Sequence, residues 1–381
     1  MPGLHDTISR LGALRQRPPG LADFADSRLA PFQDFGSNPG RLGAWAYIPD
    51  GLPEGAPLVV VLHGCTQSAR GYDHGAGWSA AAERHGFAVL FPEQQRSNNP
   101  NLCFNWFQPQ DARRGGGEAL SIRQMVNALQ VRHAIDRGRV FVSGLSAGGA
   151  MAAVMLATYP DVFAGGVVIA GLPFGTAHTV PEAFDRMRGH GEFSADALAN
   201  LVRSASKHAG PWPTLSVWHG TSDMTVDFSN ATALVDQWRA LHGVTEAPSS
   251  TGRVESYPHR VWRDATGREV IEEYVITGAG HGTPLSTLGA DHGETAGPYM
   301  LEAGISSTQH SLRFWGIASA TPKAARPAAG HAAVEAPKEE RPPAKATAPA
   351  PARRHAARRS PVGSIQKTIE DALKAAGLMG R

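Results

Sequence analysis

Gly144-Leu145-Ser146-Ala147-Gly148 is the stretch on which the reading of this chain turns. It has the G-x-S-x-G pattern that sets a serine on a tight turn between a strand and a helix. Arg139-Val140-Phe141-Val142-Ser143 precedes it, a β-branched and aromatic run of the kind that forms buried strands. Ala147 to Ala157 follows, rich in helix formers, and stops before Tyr159-Pro160. Small residues flank Ser146 where strand and helix must approach closely. The rival reading is a crossover turn with an idle serine, since the chain holds 43 glycines in 381 residues. A serine hydroxyl attacks nothing unaided, so a nucleophile requires a base, an orienting acid and an oxyanion site elsewhere in the chain.

Outward from this turn the sequence alternates strands and helices. Strands are predicted at 44–48, 58–62, 88–91, 140–143, 166–170, 214–218 and 270–276. Helices are predicted near 78–85, 118–133, 147–158, 228–241 and 297–315. Such alternation predicts an α/β domain built on a mostly parallel central sheet flanked by helices. Residues 173–213 break the rhythm with helical pieces and no strand, the pattern of a lid or rim over a site.

On such a scaffold the acid and the histidine follow later strands, in the order Ser, Asp/Glu, His. The strand at 214–218 runs into His219-Gly220-Thr221-Ser222-Asp223, which sets Asp223 in the loop just past the sheet. Asp227 is the competitor, but its charge suits the start of the next helix. The strand at 270–276 ends in Thr277-Gly278-Ala279-Gly280-His281-Gly282, which favours His281 as base over His292, a residue with no strand before it. The oxyanion site needs two backbone N–H donors. Ala147, directly after the serine, supplies one. The loop His63-Gly64-Cys65-Thr66, after the strand at 58–62, supplies the other through Cys65, with His63 as a structural neighbour.

Composition bounds the rest. With 42% apolar and 18% charged residues the chain suits a globular protein, and its length leaves a surplus beyond one domain. The net charge of +2 hides an asymmetry. Residues 320–381 hold 12 basic and 5 acidic side chains, against 24 and 29 in the remainder. The predicted organisation is an N-terminal extension at 1–40 with a short helix near Asp6–Gln16, a catalytic domain at 41–318, a disordered Pro/Ala-rich basic linker at 319–363, and an amphipathic helix at 364–381. In that helix Ile365, Ile369 and Leu373 share a face. It either docks on its own domain or grips a surface or partner. The Arg353–Arg359 cluster lacks interleaved aromatics, so nucleic acid is not an expected partner. No run is long enough for a transmembrane helix, and Met1–Ile8 lacks a secretory signal's charged start and apolar core. There is no H-E-x-x-H and no paired-cysteine zinc spacing, so neither metal nor organic cofactor is expected. The two cysteines, Cys65 and Cys103, suit free core thiols in a cytosolic enzyme or a disulfide in an exported one.

With these pieces in place, the chain resembles the esterase family of poly(3-hydroxybutyrate) depolymerases, α/β-hydrolases more distantly related to feruloyl and acetylxylan esterases. The similar stretches are 62–67, Cys103-Phe104-Asn105-Trp106-Phe107, 144–151, 157–164 and 219–223, within a span from about Leu42 to Trp315. The resemblance implies an α/β-hydrolase fold, a Ser146–Asp223–His281 triad and a Cys65–Cys103 bond. It also implies ester hydrolysis through an acyl-enzyme, with short-chain hydroxyalkanoate polyesters or their oligomers as substrate. A carbohydrate esterase of the feruloyl or acetylxylan kind is the alternative, and a non-catalytic polyester- or partner-binding protein is the alternative of another class. Family habit and the cysteine pair imply an extracellular or periplasmic place, the missing signal a cytoplasmic one. Trp106 and Phe107 either line the substrate cleft or pack in the core. One departure is visible: family members often carry a Trp soon after the triad His, and here the segment is Gly282-Thr283-Pro284-Leu285.

Overall fold

A computed structural model of the chain describes residues 27–288 and 293–318. The predicted helix near Asp6–Gln16, the linker and helix beyond residue 318, and His292 lie outside the described residues. In chain order the elements are β1 (Ala30–Pro31), β2 (Gly43–Tyr47), β3 (Leu58–Leu62), α1 (Ala69–Ala76), α2 (Trp78–His85), β4 (Ala88–Glu93), α3 (Gly117–Arg132), β5 (Val140–Leu145), α4 (Ala147–Thr158) and β6 (Gly165–Ile169). After these come α5 (Val180–Met187), α6 (Ala195–Ser204), β7 (Thr214–Gly220), α7 (Ser229–His242), β8 (Ser250–Val254), β9 (Tyr257–Arg263), β10 (Glu269–Ile276), β11 (Thr283–Leu285), β12 (Met300–Glu302) and α8 (Ser307–Phe314).

Ten strands form one sheet in the order β1-β2-β4-β3-β5-β6-β7-β10-β9-β8. The strands from β4 to β10 in that order are all parallel, and antiparallel pairs close both ends. This is the α/β-hydrolase architecture. The sequence dictates it through runs such as Leu58-Val59-Val60-Val61-Leu62, in which every residue is fully buried. A strand covered on both faces has no polar side to alternate with. Leu58, Val60 and Leu62 enter the core under α3, α4 and α7, while Val59 and Val61 enter the one under α1, α2 and α8.

Four details differ from expectation. Leu29 and Phe32 are buried and β1 pairs with β2, so the packed domain begins before the boundary predicted at residue 40. α1 contains two glycines that mask it in the sequence, and Gly75 is required because Met300 Cγ stands 2.5 Å from where its Cβ would be. The β8–β9 hairpin turns on Glu255-Ser256 with Glu255 at φ 51°, without the Asn-Gly or Asp-Gly pair that would announce it. The helix expected over 297–315 is confined to α8, because Gly304 at φ 67° interrupts the chain and Ser306 caps the helix by accepting from Gln309 N. Residues ahead of that interruption form β12 instead. Among the described residues no helix is long and apolar enough to cross a membrane.

Candidate active site

The parallel register brings three strand ends into line. Leu145 of β5 is level with Ile169 of β6, Ile169 with Trp218 of β7, and Trp218 with Tyr274 of β10. Ser146, Asp223 and His281 follow β5, β7 and β10, so all three emerge at the carboxyl edge of the sheet, where open α/β sheets place their chemistry.

Ser146 occupies a strained corner with φ 57° and ψ −120°. A non-glycine residue there costs about 1–3 kcal/mol and persists only when its surroundings fix it. Here Ser146 N donates to Ile169 O at 2.9 Å, and Ser146 O accepts from Ala150 N at 2.8 Å. The flanking glycines permit the turn sterically. A Cβ on Gly144 would stand 2.2 Å from Gly148 O, and one on Gly148 would stand 2.3 Å from Leu62 O. Ala147 opens α4, so its N–H is one of the donors a helix start leaves without an intrahelical acceptor.

His281 Nδ1 donates to Asp223 Oδ2 at 2.7 Å. The loops carrying these residues are clamped together. Ser222 N donates to Ala279 O at 2.9 Å and Gly278 N to Thr221 Oγ1 at 2.9 Å. Gly220 fits where a Cβ would stand 2.3 Å from Ala279 O. Asp223 Oδ1 accepts from Thr225 N at 2.8 Å and Val226 N at 2.9 Å. Burial alone would raise the Asp223 carboxyl. Hydrogen bonding from His219 and His281, the charge of His281 and the Val226 N–H outweigh it and hold the group well below the usual carboxylate range. Asp227 accepts from Ser229 N at 2.9 Å at the start of α7, away from His281 in the bonding scheme.

The loop after β3 is braced from beneath. His63 is buried, with Nδ1 donating to Gly64 O at 2.8 Å and Nε2 accepting from Gln94 N at 3.1 Å. Both ring nitrogens are thereby used, and desolvation lowers the pKa of the imidazole. Gln94 Nε2 donates in turn to Cys103 O at 3.0 Å and to Glu118 Oε1 at 2.6 Å. Glu118 also accepts from Asn105 N at 2.9 Å and Asn105 Nδ2 at 2.8 Å. Burial pushes the Glu118 carboxyl up to about 8 against those hydrogen bonds. Cys65 and Cys103 form a disulfide with their Cα atoms 4.2 Å apart. It ties the Cys65 loop to the segment held by Gln94 and Glu118.

A family model described as esterase PHB depolymerase matches residues 43–257. The chain belongs to this family. As a PHB depolymerase-family esterase it is a carboxylic ester hydrolase. The poly(3-hydroxyalkanoate) depolymerase C of Paucimonas lemoignei is 46% identical to it over 315 residues, covering 82% of this chain and 76% of that protein. An acetylxylan esterase of Coprinopsis cinerea is 30% identical over 70% of this chain and 72% of its own length. Among solved structures, the acetyl xylan esterase from Aspergillus awamori superposes with a TM-score of 0.65 at 25% identity, covering 76% of this chain and 99% of that one.

Around the family's elbow the aromatic residues divide. Trp106 is buried in the core, with the half-buried Phe107 edge-on at 5.4 Å. Tyr299 stands edge-on to His281 at 6.2 Å. Tyr299 is reached through the β11–β12 pairing, in which Thr283 N donates to Tyr299 O at 2.8 Å. Eighteen residues separate Tyr299 from His281, and no local motif marks it. Glu118 was hidden differently: it reads as an ordinary first-turn acid of α3, and only its partners reveal its role.

Proposed function

We propose that this esterase hydrolyses the ester bonds of poly(3-hydroxybutyrate) or related short-chain hydroxyalkanoate polyesters and oligomers, with Ser146 as nucleophile, His281 as base and Asp223 as orienting acid. The observation that carries the chemistry is the His281 Nδ1–Asp223 Oδ2 bond of 2.7 Å. An ionised carboxylate oxygen only accepts, so Nδ1 keeps the ring proton and Nε2 is left as the base. Nε2 takes the Ser146 proton as Oγ attacks the ester carbonyl, and the N–H groups of Ala147 and Cys65 receive the oxyanion. The carbonyl re-forms, expelling an alcohol that takes the proton from Nε2. Water, deprotonated by the same nitrogen, then releases the acid and restores Ser146.

The polymer reading rests on the 46% identical depolymerase. The acetylxylan esterases among the relatives favour the second reading, an acyl-carbohydrate esterase. Clearing of amorphous polyhydroxybutyrate, run beside release of acetate from acetylxylan and of ferulate from feruloyl esters, separates the two. Release from acetylxylan or feruloyl esters without clearing overturns the polyester reading. Ser146→Ala abolishes turnover of p-nitrophenyl butyrate if the serine mechanism is right, and unchanged turnover sinks it. The tail at 319–381 serves in this proposal as a tether and granule grip. Removing residues 320–381 then lowers granule binding while soluble-ester hydrolysis continues, and equal binding by both forms removes that role.

A further inference from the structure

His219, the penultimate residue of β7, is buried at 2% exposure and belongs to none of the three roles above. Its Nε2 lies 2.8 Å from Val226 O and 3.4 Å from Asp223 Oδ2. A carbonyl oxygen only accepts, so Nε2 carries a proton, and that one N–H is forked between the two oxygens. Nδ1 is buried and has no partner among the described residues. The proton that the ring donates is therefore the one on Nε2. Phe228 holds the ring edge-on at 5.6 Å.

The surroundings restrict what this ring can be doing. Asp223 and Asp227 lie on the loop beyond β7. Glu273 of β10 pairs across from Val217, so its side chain leaves the sheet on the same face as His219 and is ion-paired with Arg260 of β9. Asp223 and Asp227 thus accept from backbone N–H groups and Glu273 Oε2 is ion-paired with Arg260, while Glu273 Oε1 is buried without a hydrogen-bond partner among the described residues; the single N–H of the ring is directed at Asp223 and its supporting turn.

We propose that His219 is a positioning residue for the triad acid. It braces Asp223 twice: directly at Oδ2, and through Val226, whose carbonyl it holds while the N–H of the same residue holds Oδ1 at 2.9 Å. The carboxylate is thereby kept from turning, and Oδ2 stays aimed at His281 Nδ1. The lowered pKa of Asp223, to which His219 contributes, agrees with this. The inference rests on the triad reading above.

The test compares His219→Gln, whose amide nitrogen can reach the Nε2 position, with His219→Asn, whose amide reaches only the Nδ1 position, and with His219→Phe, which keeps volume without a donor. With p-nitrophenyl butyrate, Asn and Phe lower kcat by about tenfold or more with KM nearly unchanged, and Gln restores kcat to within about threefold. The downfield NMR resonance of the His281 Nδ1 proton shifts in the Asn and Phe variants and returns in Gln. Wild-type kcat in either Asn or Phe, or a Gln variant no better than a folded Asn variant, overturns the brace. If the Phe variant does not fold, the Gln and Asn pair still decides. Ser146→Ala is run alongside: its inactivity with fully active His219 variants sinks only the brace, whereas its full activity sinks the triad.

Discussion

Gly148 of α4 packs against Leu62 of β3 so closely that a Cβ on the glycine would lie 2.3 Å from the Leu62 carbonyl oxygen and 2.5 Å from that of His63. The helix carrying one proposed oxyanion donor thus rests directly on the strand that leads to the other. Backbone cannot yield as a side-chain tip does, so Gly148→Ala must move the Cys65 loop relative to Ala147. A shift approaching 1 Å costs roughly a hundredfold in rate, and kcat for p-nitrophenyl butyrate falls by that order. Gly252→Ala on β8, where nothing stands within 4 Å, is the matched control and keeps its activity.

The Cys65–Cys103 bond closes a loop of 38 residues beneath the oxyanion segment. In the chain-entropy account it contributes about 4 kcal/mol. A domain of this size loses roughly 2–4 °C of Tm per kcal/mol, so the Cys65→Ser/Cys103→Ser variant melts about 10 °C lower by calorimetry. Its kcat falls more than its KM rises if Cys65 N–H is the proposed oxyanion donor, because the bond then steadies a group that acts in the transition state.

Asp223 gives the pH dependence one sign. Its folded pKa lies below its unfolded value, so its stabilisation is present above the unfolded value of about 4 and lost as pH falls through the folded one. Asp223→Asn therefore melts lower than the parent by a constant gap from pH 5 to 8, and the gap closes in acid. Catalysis responds differently, since a neutral amide orients the imidazole wrongly. For this variant kcat drops by about 10⁴ across the neutral range.

Glu118 gives the opposite sign. Its folded pKa, pushed up to about 8 by burial, exceeds its unfolded value, so the folded state holds a proton that the unfolded state has released. Its contribution is most favourable in acid and declines as pH rises from the unfolded value toward 8. Glu118→Gln removes this slope. Tm measured from pH 4.5 to 8 falls less with pH in the variant, and an unchanged slope refutes the assignment.

The chain by itself determined most of what depends on local period and local sterics. A β-branched all-apolar run such as Leu58–Leu62 suits a strand buried on both faces, whereas the alanine- and methionine-rich run Ala150–Ala157 suits a buried helix. A serine among small residues between such a strand and a helix can only form a tight corner, and the order of the strands placed Asp223 and His281 past later strand ends. These signals survive in one dimension because the contacts behind them lie within a few residues. The tertiary structure alone decided which distant groups meet. Tyr299 faces His281 through β11–β12, β8 and β9 extend the sheet from a turn without glycine, Glu118 braces the cystine loop through Gln94, and His219 turns its one N–H toward Asp223. Each of these depends on burial and on a partner that no local period marks. A glutamate or histidine has no fixed meaning until the fold removes its water and supplies its neighbours.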